Sequence, residues 1–108
     1  MTTVERIASL NDIARTAMGV AGKLVQTSGI SARPDQSNIR EKVEKFNTFT
    51  PDNDPHGERD FGSFVQPDGE KIFWKIDYYA KDMESGSEDP SDPGQTVRVL
   101  TIMLADEY

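Results

Sequence analysis

The side chains best suited to chemistry crowd into one short stretch of the chain, residues 50–62. This stretch holds four carboxylates and the only histidine, together with two prolines and two glycines. Closely spaced carboxylates suit a hard divalent cation, and a histidine beside a carboxylate suits proton transfer. The residues that could take part in such chemistry are Asp52, Asp54, His56, Glu58 and Asp60.

The first half of this stretch is similar to a calcium-binding loop, but the second half is not. Asp52, Asp54 and Gly57 occupy the first, third and sixth positions of such a loop. His56 then falls at the fifth position, and Ser63 stands where the bidentate glutamate belongs. A helix–loop–helix calcium site is therefore not predicted, while a looser magnesium or manganese site stays open as an alternative.

A structural role explains the same residues better, because Asp and Asn side chains often bond the backbone N–H groups of their own loop. His56 and Glu58 would suit a general acid–base pair. However, the chain has neither a nucleophile elbow nor a phosphate-binding glycine loop. We therefore predict no catalytic residue, no bound metal and no cofactor, with a metal-assisted hydrolase as the alternative function.

A second acidic segment, residues 81–95, has no apolar periodicity and contains two prolines and two glycines. A connection of this length without secondary structure is either functional or disordered. Together, the two acidic segments predict a surface that binds a basic protein partner. The predicted partner-binding residues are Asp52, Asp54, Glu58, Asp60, Asp82, Glu84, Glu88, Asp89 and Asp92.

The charge and composition of the chain exclude several classes of function. The 108 residues include 19 acidic and 12 basic side chains, a net charge of −7, which disfavours direct binding of nucleic acid or anionic membranes. The absence of cysteine excludes disulfides, thiol catalysis and thiolate metal sites. Neither a membrane-spanning apolar run nor a signal peptide is visible, so a cytoplasmic location is predicted.

Hydrophobic periodicity and turn residues predict six elements, in the order helix, strand, helix, strand, strand, strand. The predicted fold is a single α+β domain over residues 1–108, in which two helices pack on an antiparallel sheet of three or four strands. The predicted bounds are 3–18 and 37–48 for the helices, and 23–28, 61–66, 71–80 and 96–104 for the strands.

Local signals mark the beginning of the first helix and the turn of a hairpin. Thr2 and Glu5 fit a capping box, and residues 67–69, Pro-Asp-Gly, predict a turn between two strands. The predicted core consists of Ile7, Leu10, Ile39, Val43, Phe46, Trp74, Ile76, Val99, Leu100 and Ile102.

One charged residue within a predicted strand, Asp77, requires a partner if it faces inward. Lys75 lies two residues away on the same face of that strand, and Arg98 lies on the last predicted strand. Both are therefore candidates for an ion pair with Asp77.

Three blocks of the chain, residues 46–60, 73–79 and 98–105, resemble a family of small bacterial proteins that is catalogued as a domain of unknown function. The second block reads Phe-Trp-Lys-Ile-Asp-Tyr-Tyr. The resemblance implies a short acidic protein, often carried on plasmids or phage-like elements. The family more often has histidine where this chain has Arg59. A mobile-element setting favours an inhibitor of a host defence system, of the anti-CRISPR or anti-restriction type.

Three functional hypotheses follow. In the first, the acidic residues dock on the basic, nucleic-acid-binding surface of a host protein and mimic the charge of DNA, an interaction that salt would weaken. In the second, the 52–60 loop is the centre of a metal-assisted hydrolase. In the third, the chain is a structural or regulatory domain that forms a homodimer through a sheet edge.

Overall fold

The computed structural model describes residues 1–108 and contains three helices and one four-stranded sheet. The predicted α+β class is confirmed, although a third, short helix follows the first strand. None of the helices is both long enough and apolar enough to cross a membrane. The elements are α1 (Thr3–Thr16), β1 (Lys23–Gln26), α2 (Ser28–Ser31), α3 (Gln36–Glu44), β2 (Phe61–Val65), β3 (Lys71–Tyr79), β4 (Val97–Leu104) and a 3-10 turn (Ala105–Glu107).

The first helix begins where the predicted capping box places it. The Thr2 hydroxyl accepts a hydrogen bond from the Glu5 N–H at 3.1 Å, and the Glu5 carboxylate accepts one from the Thr2 N–H at 3.1 Å. These bonds satisfy two of the N–H groups that the start of a helix leaves unpaired. The helix then buries Ile7, Ala8 and Ala14.

The strand order across the sheet is β1-β4-β3-β2. β2, β3 and β4 are antiparallel neighbours, as predicted, but β1 runs parallel to β4, with Lys23 beside Val99. The prediction of a purely antiparallel sheet is therefore wrong at this edge. Two helices and a hairpin separate β1 from β4 in the chain, and only a long connection of this kind can bring two strands together in parallel.

The helices pack on one face of the sheet, where the even-numbered residues of the strands form the core. Trp74 and Ile102 pair across the two central strands at its centre. Eight of the ten predicted core residues are buried, whereas Leu10 and Phe46 keep partial exposure. Ile72 and Ile30 are fully buried core residues that were not among those predicted.

The opposite face of the sheet, which we call the open face, carries the odd-numbered residues of all four strands, because side chains alternate along a strand. None of the three helices packs on it. The rings of Phe61, Phe73 and Tyr108 meet edge to face there, with centroids 5.2 to 6.1 Å apart. Met103, which pairs with Phe73, is buried.

A buried arginine joins the two longer helices. Nη1 of Arg15 donates to the carbonyl oxygens of Val43, Glu44 and Phe46 at 3.0, 3.0 and 2.8 Å. These carbonyls lie at the C-terminal end of α3, where a helix leaves acceptors unpaired and favours a positive charge. Arg15 therefore fixes α1 against the end of α3.

The hairpin between β2 and β3 turns at residues 67–69, as predicted. Gly69 has a φ of +88°, and its N–H donates to the Gln66 carbonyl at 2.8 Å. The buried Gln66 side chain donates to Asp35 and Asn38 and accepts from the Lys42 ammonium. These bonds tie the hairpin to the first turns of α3.

Candidate protein-binding site

The two acidic segments lie at the same end of the sheet. β2 and β4 begin at this end and β3 finishes there, because each of these strands is antiparallel to its neighbour. Residues 50–60 lead into β2, and residues 81–95 connect β3 to β4. We refer to these two segments together as the acidic end.

The acidic end carries the whole net charge of the chain. It contains the nine predicted partner-binding carboxylates against two basic side chains, Arg59 and Lys81, a balance of −7 that equals the net charge of all 108 residues. The remainder of the chain has equal numbers of acidic and basic side chains and is neutral. The negative field is therefore concentrated at one place rather than spread over the surface.

A polar network beneath the acidic end joins it to α1 and to the sheet. The Asn11 amide donates to the Tyr78 hydroxyl at 2.7 Å and to the Glu58 carbonyl at 2.9 Å, while its oxygen accepts from Nε of Arg98 at 2.7 Å. The Tyr78 hydroxyl in turn donates to the Glu58 carboxylate at 2.7 Å. Nη2 of Arg98 donates to the Pro90 carbonyl in the second segment. One connected set of bonds thus holds both segments.

Burial sets the protonation of this network. It raises the pKa of the Tyr78 phenol, so Tyr78 remains a hydrogen-bond donor to Glu58. Burial also lowers the pKa of the Arg98 guanidinium, against the attraction of the Tyr78 oxygen and the Glu58 carboxylate. The Arg98 guanidinium lies 5.1 Å from the centre of the Tyr78 ring, a cation–π contact that adds to its bonds with Asn11 and Pro90.

Residues 50–60 are shaped by their own side chains. The Asn53 oxygen accepts from the Thr50 N–H at 2.8 Å, and the Asp54 carboxylate accepts from the Arg59 N–H at 3.1 Å. Arg59 has a φ of +53°, and its guanidinium binds the Asp12 carboxylate of α1 at 2.7 Å. The predicted structural role of the loop polar residues is therefore visible at Asn53 and Asp54.

Residues 81–95 form a series of tight turns. The Asp82, Asp89 and Asp92 carboxylates each accept from the N–H two residues further on, at 2.9, 3.1 and 2.8 Å. Tyr79 forms an isolated bridge with Gly86, which folds the segment back on the end of β3. The segment contains no helix and no strand, as the sequence indicates, and its aspartates supply the backbone hydrogen bonds that such an element would otherwise provide.

The same bonds keep two of these aspartates ionised. The Glu84 and Ser85 N–H groups lower the pKa of Asp82, and the Gln95 side chain and the Gly94 N–H lower the pKa of Asp92. Both carboxylates shape the loop and still contribute their negative charge to the acidic end.

Three carboxylates of the acidic end are exposed and make no hydrogen bond within the chain: Asp52, Glu84 and Glu88. Asp60 also makes no side-chain hydrogen bond, but it is half-buried, and burial raises its pKa. The other predicted partner-binding residues have protein partners, as described above. Asp52, Glu84 and Glu88 are therefore the carboxylates that are free to meet another molecule.

The structure does not bring the proposed hydrolase residues together. No group of three or more His, Asp or Glu side chains is arranged to hold a metal ion. His56 is exposed, and the Glu58 carboxylate is bonded to Tyr78 rather than to His56. The acid–base pair suggested by the sequence is thus not formed.

Of the two candidate ion pairs of Asp77, the one with Arg98 is not formed. Arg98 is on the helix-covered face, opposite Tyr78, whereas Asp77 is on the open face. The alternative partner is the correct one, since the Lys75 ammonium lies 2.8 Å from the Asp77 carboxylate.

Asn11 and Arg98, which support the site, were not predicted to do so from the sequence. A polar residue at Asn11 interrupts the apolar stripe of α1, and Arg98 falls on the buried face of an alternating strand. A polar side chain at a core position is the signal that predicts such a network, because burying it without a partner is costly.

The fold and this site define a small α+β protein with a neutral body and an acidic end. The chain belongs to a family described as proteins of unknown function (DUF3768), whose model matches residues 23–107. The match runs from β1 to the 3-10 turn and includes both acidic segments. No curated protein and no solved structure matches the chain.

Proposed function

We propose that this protein is a protein–protein interaction module that docks its acidic end on a basic, nucleic-acid-binding surface of a partner protein. The observation that carries the proposal is the position of the charge: nine carboxylates and the entire net charge lie at one end of the sheet. Such a field speeds encounter with a positive surface and disfavours other partners.

The network beneath the acidic end supports a docking role. Because Asn11 binds the Glu58 carbonyl of the first segment and Arg98 binds the Pro90 carbonyl of the second, the backbone of both segments is held in place before a partner arrives. A preorganised surface loses less conformational entropy on binding than a mobile loop does. An array of carboxylates carried on a fixed backbone is also what a protein needs to stand in for the phosphates of DNA.

The partner that we propose is a host defence protein that binds nucleic acid, so that docking of this chain inhibits it in the cytoplasm. An inhibitor of the anti-CRISPR or anti-restriction type, encoded by a mobile element, fits this description. Inhibition would arise by competition, because nucleic acid and the acidic end would occupy the same basic surface.

Capture from a nuclease-treated bacterial lysate at low and at high salt tests the proposal. The immobilised chain should recover a nucleic-acid-binding protein at low salt and lose it at high salt, because screening weakens attraction between exposed charges. The purified partner should then release bound DNA or RNA when the chain is added. Absence of any partner, or a partner whose nucleic acid is not displaced, would contradict the proposal.

A matched pair of triple variants locates the contact. The first replaces the three free carboxylates (Asp52→Asn, Glu84→Gln, Glu88→Gln), and the second makes the same charge change on the body (Glu44→Gln, Glu70→Gln, Asp106→Asn). The affinity of the chain for the captured partner should fall on the order of tenfold in the first variant, because each exposed charge contributes little but the three act together. It should change little in the second. Equal losses would place the contact outside the acidic end.

A further inference from the structure

The outer strand β2 has an unpaired edge without the features that usually protect one. β2 is the last strand of the sheet and pairs only with β3. Its sequence, Phe-Gly-Ser-Phe-Val over residues 61–65, contains no charge and no proline. Natural sheet edges are normally short, charged, bulged or covered, because free backbone groups invite another strand. By contrast, the opposite edge strand, β1, has four residues and begins with Lys23.

The hydrogen bonds to β3 show which backbone groups of β2 point outward. The Gln66 N–H donates to the Glu70 carbonyl, and the Ile76 N–H donates to the Asp60 carbonyl. In an antiparallel ladder the bonded pairs alternate, so even-numbered residues of this strand bond β3. The N–H and C=O groups of Phe61, Ser63 and Val65 therefore face away from the sheet.

We propose that this edge pairs with β2 of a second copy of the chain, antiparallel and with Ser63 opposite Ser63. This register lets all five residues of the strand pair, and every outward N–H and C=O group gains a partner. Phe61 then lies beside Val65 of the other copy on the open face, an aromatic and β-branched pair of the kind that stabilises sheets. Val65 is 59% exposed in the single chain, and this pairing covers it.

The helix-covered side of the strand is self-complementary in the same register. Gly62 of one copy lies opposite Phe64 of the other on this side. A groove of about 420 Å³ lies there, between β2 and the end of α3, and is lined by Phe46, Ser63 and Phe64 among others. The phenyl ring of the second copy's Phe64 would enter this groove.

Charge favours a second copy as the occupant in this orientation. The acidic end lies at the start of β2, so antiparallel pairing directs the two acidic ends to opposite extremes of the dimer. The strong mutual repulsion of two −7 surfaces is thereby kept small. This dimer is independent of the proposed function: its groove borders the acidic end only at Asn53, and none of residues 81–95 lines it.

Charged side chains placed at position 63, where the two copies of β2 would face each other at the same residue, test the pairing. In sedimentation and light-scattering measurements, the wild type should show a concentration-dependent rise from the 12.0 kDa monomer to twice that mass. Ser63→Lys and Ser63→Glu should each remain monomeric, because like charges would be directly opposite. An equimolar mixture of the two variants should restore the dimer, a result that only self-pairing at residue 63 produces.

Ser63→Thr is the matched control and should dimerise as the wild type does, and circular dichroism reports whether each variant is folded. Should the Ser63 variants fail to fold, Val65→Lys, at an exposed position, supplies a second test and should also lower the dimer mass to that of the monomer. A wild type that stays monomeric at every soluble concentration overturns the proposal, as do charged variants that dimerise normally or a mixture that stays monomeric. Capture of a partner through the acidic end would be unaffected by any of these results.

Discussion

The indole ring of Trp74 occupies the space that a side chain on Gly62 would fill. A Cβ added to Gly62 would lie 2.7 Å from Cε2 and 2.8 Å from Cζ2 of the indole. Trp74 is fully buried, and its ring meets those of Phe46 and Phe49 edge to face at 5.5 and 6.2 Å. The ring therefore has no room to move aside, and close approach requires glycine at this position.

Gly62→Ala should lower the free energy of unfolding by roughly 1–3 kcal/mol, the usual cost of forcing extra atoms into a packed core. Urea denaturation followed by Trp74 fluorescence measures the change. Gly86→Ala is the control, because a Cβ there would approach nothing closer than 3.8 Å. Similar losses in both variants would show that the indole is not the cause.

Asn11→Ala should destabilise the protein by roughly 1–3 kcal/mol, because Arg98 and Tyr78 would lose a buried hydrogen-bond partner. The effect should be largest around Glu58, whose carbonyl also accepts from Asn11, and amide hydrogen exchange should increase there. Asn47→Ala, at an exposed position without a side-chain hydrogen bond, should change neither quantity. Unchanged exchange near Glu58 in Asn11→Ala would mean that the network does not hold the loop.

Asp35 should make stability depend on pH in the acid range. Its hydrogen bonds with Arg33 and Gln66 lower its pKa from the ordinary 3.8 to about 2. A carboxylate whose pKa is lower in the folded state stabilises the fold above the unfolded pKa, and this contribution is lost as pH falls from 3.8 towards 2. Asp35→Asn should therefore lower Tm most at neutral pH, and the difference should shrink over that interval.

The check is a set of melting curves at several pH values between neutral and 2. The control is Asp106→Asn, which changes an exposed carboxylate that makes no hydrogen bond with its side chain, and it should follow the wild type. A constant Tm difference between wild type and Asp35→Asn at all pH values would contradict the assignment.

Removing the three free carboxylates of the acidic end should raise Tm at low salt, because crowded like charges repel one another. The variant is the one used in the binding experiment, Asp52→Asn with Glu84→Gln and Glu88→Gln. Calorimetry at low and high salt should show the gain disappearing as salt screens the repulsion. The body variant should show a smaller gain, and an equal one would mean that charge position is unimportant.

Elements that depend on neighbouring residues are predictable from this sequence. The capping box at Thr2 and Glu5, the turn at residues 67–69 and the alternation along β3 all occur as expected. Each signal acts within a few residues, so no knowledge of the rest of the fold is needed. The parallel pairing of Lys23 with Val99 is different. It depends on how α2, α3 and the hairpin pack, and no local pattern encodes it.

The charges of the site are predictable from the sequence, but the polar network beneath them is not. Carboxylates such as Asp82 and Glu88 are visible in the sequence, and antiparallel neighbours bring their segments together. That network, however, joins Asn11, Tyr78 and Arg98 from three distant parts of the chain. Their contact follows only from the position of α1 on the sheet, which the weak apolar stripe of this helix does not specify.

The central position of β4 has a consequence for the order of folding. β4 follows the other strands in the chain, yet it lies between β1 and β3 and pairs with both. On the ribosome, β1 therefore has no neighbour to join until residues 97–104 have emerged, and contacts so distant in sequence form slowly. We expect ribosome-stalled chains that end before Val97 to be digested rapidly by protease. Resistance of such chains to protease would show instead that the β2–β3 hairpin and the helices fold before β4 is made.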